Sequence, residues 1–193
     1  MFHVKQDTVV SRETLRKGLM DILEQLQERH SVRTYTEENI PEADLTKILQ
    51  AGLLSPTSRG KKPWEFIVIQ ERETLNRLAF AKGNKPNMLK DAKAAIIVIA
   101  DETVSDVWIE DVSIAMMNMH LEADSLGIGS CWIQLRKRNA YDGQDAVEYV
   151  KKVLALPEKY QLNSILSLGM PKAKASRTEL NALDKTKIHY GIF

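Results

Sequence analysis

The chain has 193 residues, 44% of them hydrophobic and 27% charged, which is the composition of an ordinary folded domain and not of a disordered segment. Lys plus Arg (27) balances Asp plus Glu (26), so no global field recruits nucleic acid or an acidic surface, and any anion site has to be built locally. A lone cysteine, Cys131, excludes an internal disulfide and a cysteine-rich zinc site, and the four histidines are scattered with no HExxH or CxxC.

In chain order, Leu15, Leu19, Ile22, Leu23 and Leu26 recur at helical spacing and predict an amphipathic helix over residues 12–29, with Ser11 as its N-cap. A second helix starts at Pro41, carries the stripe Leu45, Ile48, Leu49 and Leu53, and ends at Ser55 and Pro56. WEFIVI (64–69) and AAIIVIA (94–100) are short, apolar and β-branched, as buried strands are, and a helix near 73–82 separates them. Ile109, Val112, Met116, Met119, Ala123 and Leu126 predict a central helix that Gly127 stops, with Met116, Met117 and Met119 as core or as a contact between subunits. A third strand over 130–135, a helix over 146–154 stopped before Pro157 and a fourth strand over 162–168 follow. The polar, basic tail after Gly169 adds nothing to a core. One α+β domain over residues 1–193 is expected, with 1–13 as an N-terminal extension and 170–193 as an extended tail. The longest apolar run falls far short of the ~20 residues of a spanning helix, and the N-terminus lacks a signal-type apolar core, so a cytoplasmic protein is expected.

Three stretches carry chemistry. In RHSVR (29–33), extended chain turns Arg29, Ser31 and Arg33 to one side and His30 and Val32 to the other, so that two guanidinium forks and a hydroxyl suit a phosphate monoester. The same residues also suit a solvated basic turn at a helix end. SPTSRGKKPWEF (55–66) puts small hydroxyl residues and Gly60 between a helix and a strand, where a planar ligand can approach the main chain. LGIGSCWIQL (126–135) leaves a helix through two glycines and enters a strand whose end can aim N–H groups at a ligand edge. No GxxxxGK[ST] occurs, and GIGS precedes a strand where a dinucleotide fingerprint precedes a helix.

In this order and spacing, the three stretches resemble the nitroreductase family of FMN-dependent oxidoreductases, from about Leu26 to the C-terminus. The resemblance implies a layered fold with a mixed, mostly antiparallel sheet flanked by helices, and a homodimer with FMN at the interface and the tail reaching the partner subunit. It implies that Arg29, Ser31 and Arg33, with His30 adjacent, hold the flavin phosphate. SPTSRGKKPWEF is similar to the family's SPSSxNxQPWxF signature, which implicates Pro56, Thr57, Ser58 and Gly60 against the partner's flavin; Gly60 and Lys62 stand where the family often has Asn and Gln. Trp132, Ile133, Gln134 and Leu135 would lie along the ring, with Gln134 or the next backbone N–H near its N5 edge. Lys174 and Arg177 are the tail's candidates for the phosphate, and Asn84 or Asn87 for the pyrimidine edge.

The implied activity is transfer of a hydride from NADH or NADPH through FMN to small organic acceptors such as nitroaromatics or quinones, with ping-pong kinetics and no protein nucleophile or metal. Cys131 is expected to be a buried, inert thiol and His120 a satisfied structural histidine. Other chemistry on the same fold, namely dehalogenation, enone reduction or flavin breakdown, is compatible with the same residues, as is a non-catalytic flavin-binding protein. A nucleic-acid-binding domain using RGKK and RKR is disfavoured by the balanced charge.

Overall fold

A computed structural model describes residues 21–173 and 176–192. Among the described residues, five α-helices, α1 (Ile22–Glu28), α2 (Glu42–Leu53), α3 (Arg72–Leu78), α4 (Trp108–Ser125) and α5 (Ala146–Leu154), surround one sheet of β1 (Trp64–Ile69), β2 (Ala94–Asp101), β3 (Gly129–Gln134) and β4 (Tyr160–Gly169). The strand order is β1-β2-β4-β3, every pair antiparallel. β2 and β4 are central and buried on both faces, which is why their sequences are nearly continuous apolar runs.

Each face of the sheet has its own core. Ala95, Ile97, Ile99, Ile133 and Ile165 pack against Leu75 and Leu78 of α3 and Val147 and Val150 of α5. Ile96, Val98, Leu166 and Leu168 pack against Leu45 and Ile48 of α2 and Val112, Met116 and Met119 of α4. Met116 and Met119 are therefore core, and only Met117 of that run is half-buried. A Cβ on Gly52 would come within 2.9 Å of Met119 Sδ, so the missing side chain is what lets α2 lie close on α4. Leu53, read as part of the α2 stripe, points outward at 52% exposure because Gly52 takes the contact position.

The first helix departs from its predicted span. Asp21 is in extended conformation and caps α1 through a capping box with Glu24, so the helix that contains Arg29 at its C-cap begins at Ile22. The D-x-x-E signal was present and was masked by the longer leucine period; the proposed Ser11 cap and the first turns lie outside the described residues. Ile22, Leu23 and Leu26 also face away from the core, at 70%, 49% and 44% exposure. Buried in their place is Gln27, tied to Thr178, while Gln25 donates to Leu121 O. The third predicted helix ends at Leu78, four residues early, in tight turns through Ala81.

Beyond α1, the strip of residues 31–36 meets the free edge of β3, where Ser31 bridges Ser130 in parallel and Val32 N–H donates to Ser130 O at 2.9 Å, and then passes to the residues after β4, where Tyr35 bridges Pro171 and Thr36 N–H donates to Met170 O. Two glycines make room for this strip. A Cβ on Gly129 would lie 2.7 Å from Val32 Cγ1, and one on Gly169 2.6 Å from the Tyr35 ring. Gly169→Ala therefore has to displace a fully buried tyrosine. We expect it to cost about 1–3 kcal/mol, the usual penalty for overpacking, seen as a lower urea midpoint at unchanged slope.

Candidate functional site

The strip follows the alternation that its spacing requires. His30 and Val32 line a cavity of about 600 Å³ with Gly127, Gly129, Pro171 and Lys172, and none of the residues at 29, 31 and 33 lines it. Those three turn elsewhere. The Cys131 thiol donates to Trp132 O at 3.7 Å, and the Ser31 hydroxyl and the charges of Arg33, Lys82 and Arg29 oppose the burial that pushes its pKa up. Arg33 also donates to Ser31 O at 3.2 Å and is exposed. The hydroxyl and both guanidinium groups thus belong to the side of the strip turned away from that cavity, within electrostatic reach of Cys131 on β3. Lys82 adds a third cation there. It lies in the turn after α3, separated from the motif by some fifty residues, and no local spacing marks it.

Arg29 is anchored. Its Nη1 lies 3.0 Å from His120 Nε2, and His120 Nδ1 hydrogen-bonds Ser130 Oγ. The imidazole is buried at 4% exposure on α4, where burial first and the Arg29 charge second lower its pKa to about 4. It is therefore neutral near pH 7, with Nδ1–H donating to the serine and Nε2 accepting from the guanidinium. His120 is a satisfied structural histidine, as its sequence context suggests, and it sits inside the helix contact.

β3 offers its outer edge beside the strip. Leu135 N–H donates to Asn163 O at 3.0 Å toward β4, so alternation turns Gln134 and Trp132 main-chain groups the other way, to the side where Ser130 O receives Val32. The β-bulge between the pairs Ile97–Ile165 and Ile99–Leu162 gives β4 an extra residue and re-aims Asn163. Its side chain then closes a chain of bonds: Trp132 Nε1 donates to Gln134 Oε1 (2.9 Å), Gln134 Nε2 to Asn163 Oδ1 (2.9 Å), and Asn163 Nδ2 to Ser113 Oγ (3.1 Å). The Gln134 amide and the Leu135 N–H are both occupied, which leaves the outward main-chain N–H groups of Trp132 and Gln134 as the strand's donors, the latter nearer its C-terminal end. Ile133 and Leu135 side chains are in the core, at 2% and 0% exposure, and can offer a ligand only their backbone.

SPTSRGKKPWEF is held against the other flank of α4. Ser58 N–H donates to Asp111 Oδ1 (2.8 Å), Ser105 Oγ to Asp111 Oδ2 (2.8 Å), and Asn118 Nδ2 to Ser55 Oγ (2.8 Å). Pro56 and Gly60 are exposed and Thr57 and Ser58 half-buried; Gly60 has φ +67°. Asn118 and His120 are two residues apart, hence roughly 200° around the helix at 3.6 residues per turn. One chain does not bring this loop and the arginine strip together. Trp64 belongs to the core, stacked on Phe66.

Arg177 donates to Gln27 Oε1 at 2.6 Å and lies 3.7 Å from Glu28 Oε1, which returns the tail to the end of α1. Lys174 lies outside the described residues. Between the two asparagines, Asn84 is exposed, whereas Asn87 accepts from Leu89 N–H and keeps its Nδ2 buried with no partner. A buried amide N–H without an acceptor costs about 1–3 kcal/mol, so Asn87 suits a ligand that brings a carbonyl.

A model described as the Nitroreductase family matches residues 26–87 and 77–170. A protein of Archaeoglobus fulgidus, provisionally named an NADH dehydrogenase/NAD(P)H nitroreductase, is 37% identical over 158 residues, covering 79% of this chain and 86% of the relative. Among solved structures, an FMN-dependent nitroreductase from Clostridium difficile R20291 superposes with a TM-score of 0.84 at 40% identity, covering 89% of this chain and 99% of that one. One from Bacteroides thetaiotaomicron, provisionally named like the archaeal relative, gives 0.80 at 33% identity over 89% and 97%.

The buried histidine sets a pH dependence. Unfolded, His120 titrates near 6.5; folded, at about 4. Between these values the unfolded chain binds the extra proton, so the stability held above pH 6.5 is lost as the pH falls toward 4. His120 should account for about 2 kcal/mol of the loss between pH 7.5 and 4.5. Urea denaturation at both values should show that much less loss in His120→Gln.

Proposed function

The chain belongs to the nitroreductase family, and on that premise we propose that it is an oxidoreductase that holds FMN between two copies of itself. It uses NADH or NADPH to reduce small organic acceptors such as nitroaromatics or quinones. The observation that carries this reading is the gathering of Arg29, Ser31 and Arg33 beside the open edge of β3.

The residues present fit the cofactor. Arg29, Arg33 and Ser31 supply charge-assisted donors for the phosphate, with His30 flanking them. The Gln134 main-chain N–H is the donor toward the reactive edge of the ring, beside the half-buried Trp132. The unpartnered Asn87 Nδ2 takes a carbonyl of the pyrimidine edge. Arg177, bonded to Gln27 and Glu28, holds the tail next to Arg29, which leaves Lys174 as the tail's other candidate for the phosphate. FMN, when bound, supplies the two-electron chemistry, and the protein contributes position, electrostatics and exclusion of water. Donor and acceptor use one place in turn, which gives ping-pong kinetics.

A second copy is required on two grounds. Pro56, Thr57, Ser58 and Gly60 lie across α4 from their own chain's strip, so this loop serves the partner's cofactor. Ile22, Leu23 and Leu26 of α1 and Leu183, Ile188, Tyr190 and Ile192 of the tail are all half or more exposed or close to it, Ile192 at 99%. Apolar residues spread along a helix and an extended tail are what an exchanged-arm dimer covers.

The purified protein should be yellow, release FMN on denaturation, bleach with NADH or NADPH and recover its colour with a nitroaromatic or quinone. Bound flavin that neither nucleotide bleaches would identify a non-catalytic carrier instead. Arg29→Ala with Arg33→Ala removes two charge-assisted contacts of about 1.5–3 kcal/mol each, weakening FMN on the order of 10²–10⁴-fold. That variant should purify colourless with a lower melting temperature. Full occupancy would show the phosphate to lie elsewhere.

A further inference from the structure

We propose that His120 is a positioning residue for Arg29, fixing the guanidinium in the orientation that receives the cofactor phosphate. This rests on the reading of Arg29 as a phosphate contact. His120 sits in the apolar stripe of α4 between Met116 and Ala123, a place where an apolar side chain would pack at no cost in desolvation. Both of its ring nitrogens are bonded, to two different elements: Nε2 to Arg29 at the end of α1, and Nδ1 to Ser130 on β3.

The tautomer follows from the partners. Arginine can only donate, so Nε2 has to be the bare nitrogen, and Nδ1–H then donates to the Ser130 hydroxyl. Ser130 is also the residue whose carbonyl receives Val32 N–H. A single residue therefore holds both the backbone of the strip and, through the imidazole, its first guanidinium. One of five N–H groups of Arg29 is used in this anchor. The others remain for an anion, and the rotamer freedom of a long side chain is lost on folding and not on binding. The arrangement acts on the phosphate end alone. Riboflavin, which has the same ring and ribityl chain without the phosphate, should not sense it.

The test compares FMN and riboflavin dissociation constants of the apoprotein by quenching of flavin fluorescence. His120→Leu should raise the FMN constant about tenfold and leave that of riboflavin within twofold. His120→Gln, whose Oε1 can accept from Arg29 while Nε2 donates to Ser130, should stay within threefold for both. In Arg29→Ala, adding His120→Leu should change nothing further. Equal weakening of FMN and riboflavin in His120→Leu would make the role purely structural and overturn the proposal. So would wild-type FMN binding in His120→Leu when Arg29→Ala binds poorly. Wild-type FMN binding in Arg29→Ala would instead overturn the underlying assignment of the arginine. If His120→Leu does not fold, Ser130→Ala supplies the same comparison by removing only the hydroxyl that accepts from Nδ1–H and holds the ring, with about threefold weaker FMN and unchanged riboflavin expected.

Discussion

The hydrogen bond from Val32 N–H to Ser130 O is the contact on which the rest of the site depends. β3 is an edge strand, and an edge presents unpaired main-chain groups that a protein has to cover or use. This chain covers the first part of that edge with the extended strip after α1 and leaves the part at Trp132 and Gln134 uncovered. The docking fixes the strip's rotation, and with a period of two it decides at once which side chains meet the cavity and which gather at Cys131. A slip of one residue would exchange the arginines for His30 and Val32. Gly129 and Gly169 guard against that slip, since the room they leave is filled by Val32 and Tyr35.

α4 then divides the chemistry. Its core-facing stripe holds it on the sheet, and two sides of the helix bind different things: Asp111 and Asn118 hold the hydroxyl-rich loop, and on the opposite side His120, buried within the stripe, holds the arginine. A helix is about 10 Å across, so groups on opposite flanks cannot close on one planar ligand within a single chain. The same geometry that keeps the loop well ordered makes it useless to its own subunit. On the proposed reading, assembly through a second copy follows from how α4 is loaded, and the apolar side chains left outward on α1 and the tail would be its other face.

The four strands, the second, central and last helices, and the arginine strip were legible because each is written locally, as a period of two, a period of 3.6 or a turn residue. Gly127 and Gly60 do adopt the positive φ assigned to them. What was not legible depends on partners distant in sequence. The leucine period at the N-terminal end predicts an amphipathic helix, yet Ile22, Leu23 and Leu26 face outward, because a stripe states that it will be buried and not by what. Ile133 and Leu135 were grouped with Trp132 and Gln134 as ring contacts; strand alternation separates them, but which parity faces the core is set by β4. The buried, unpartnered Nδ2 that favours Asn87 over Asn84 depends on the packing around it, and Lys82 comes near the strip only through the fold.

His120 shows how a rule broken locally can be informative. A histidine inside an apolar helix stripe loses hydration on burial, and a nearby arginine penalises its charged form further, so the fold keeps it neutral at the cost of acid stability. Leucine would avoid that cost at this position. The neutral ring supplies something leucine cannot, an acceptor for a guanidinium at a point where the backbone has none to spare, since Ser130 O is already given to the strip. An arginine without that acceptor would either lie in solvent or pair with a carboxylate, and a carboxylate there would cancel the charge that an anion needs. A neutral acceptor orients the cation and leaves its field intact, and among side chains that fit the helix contact, imidazole with one nitrogen committed to a serine does both.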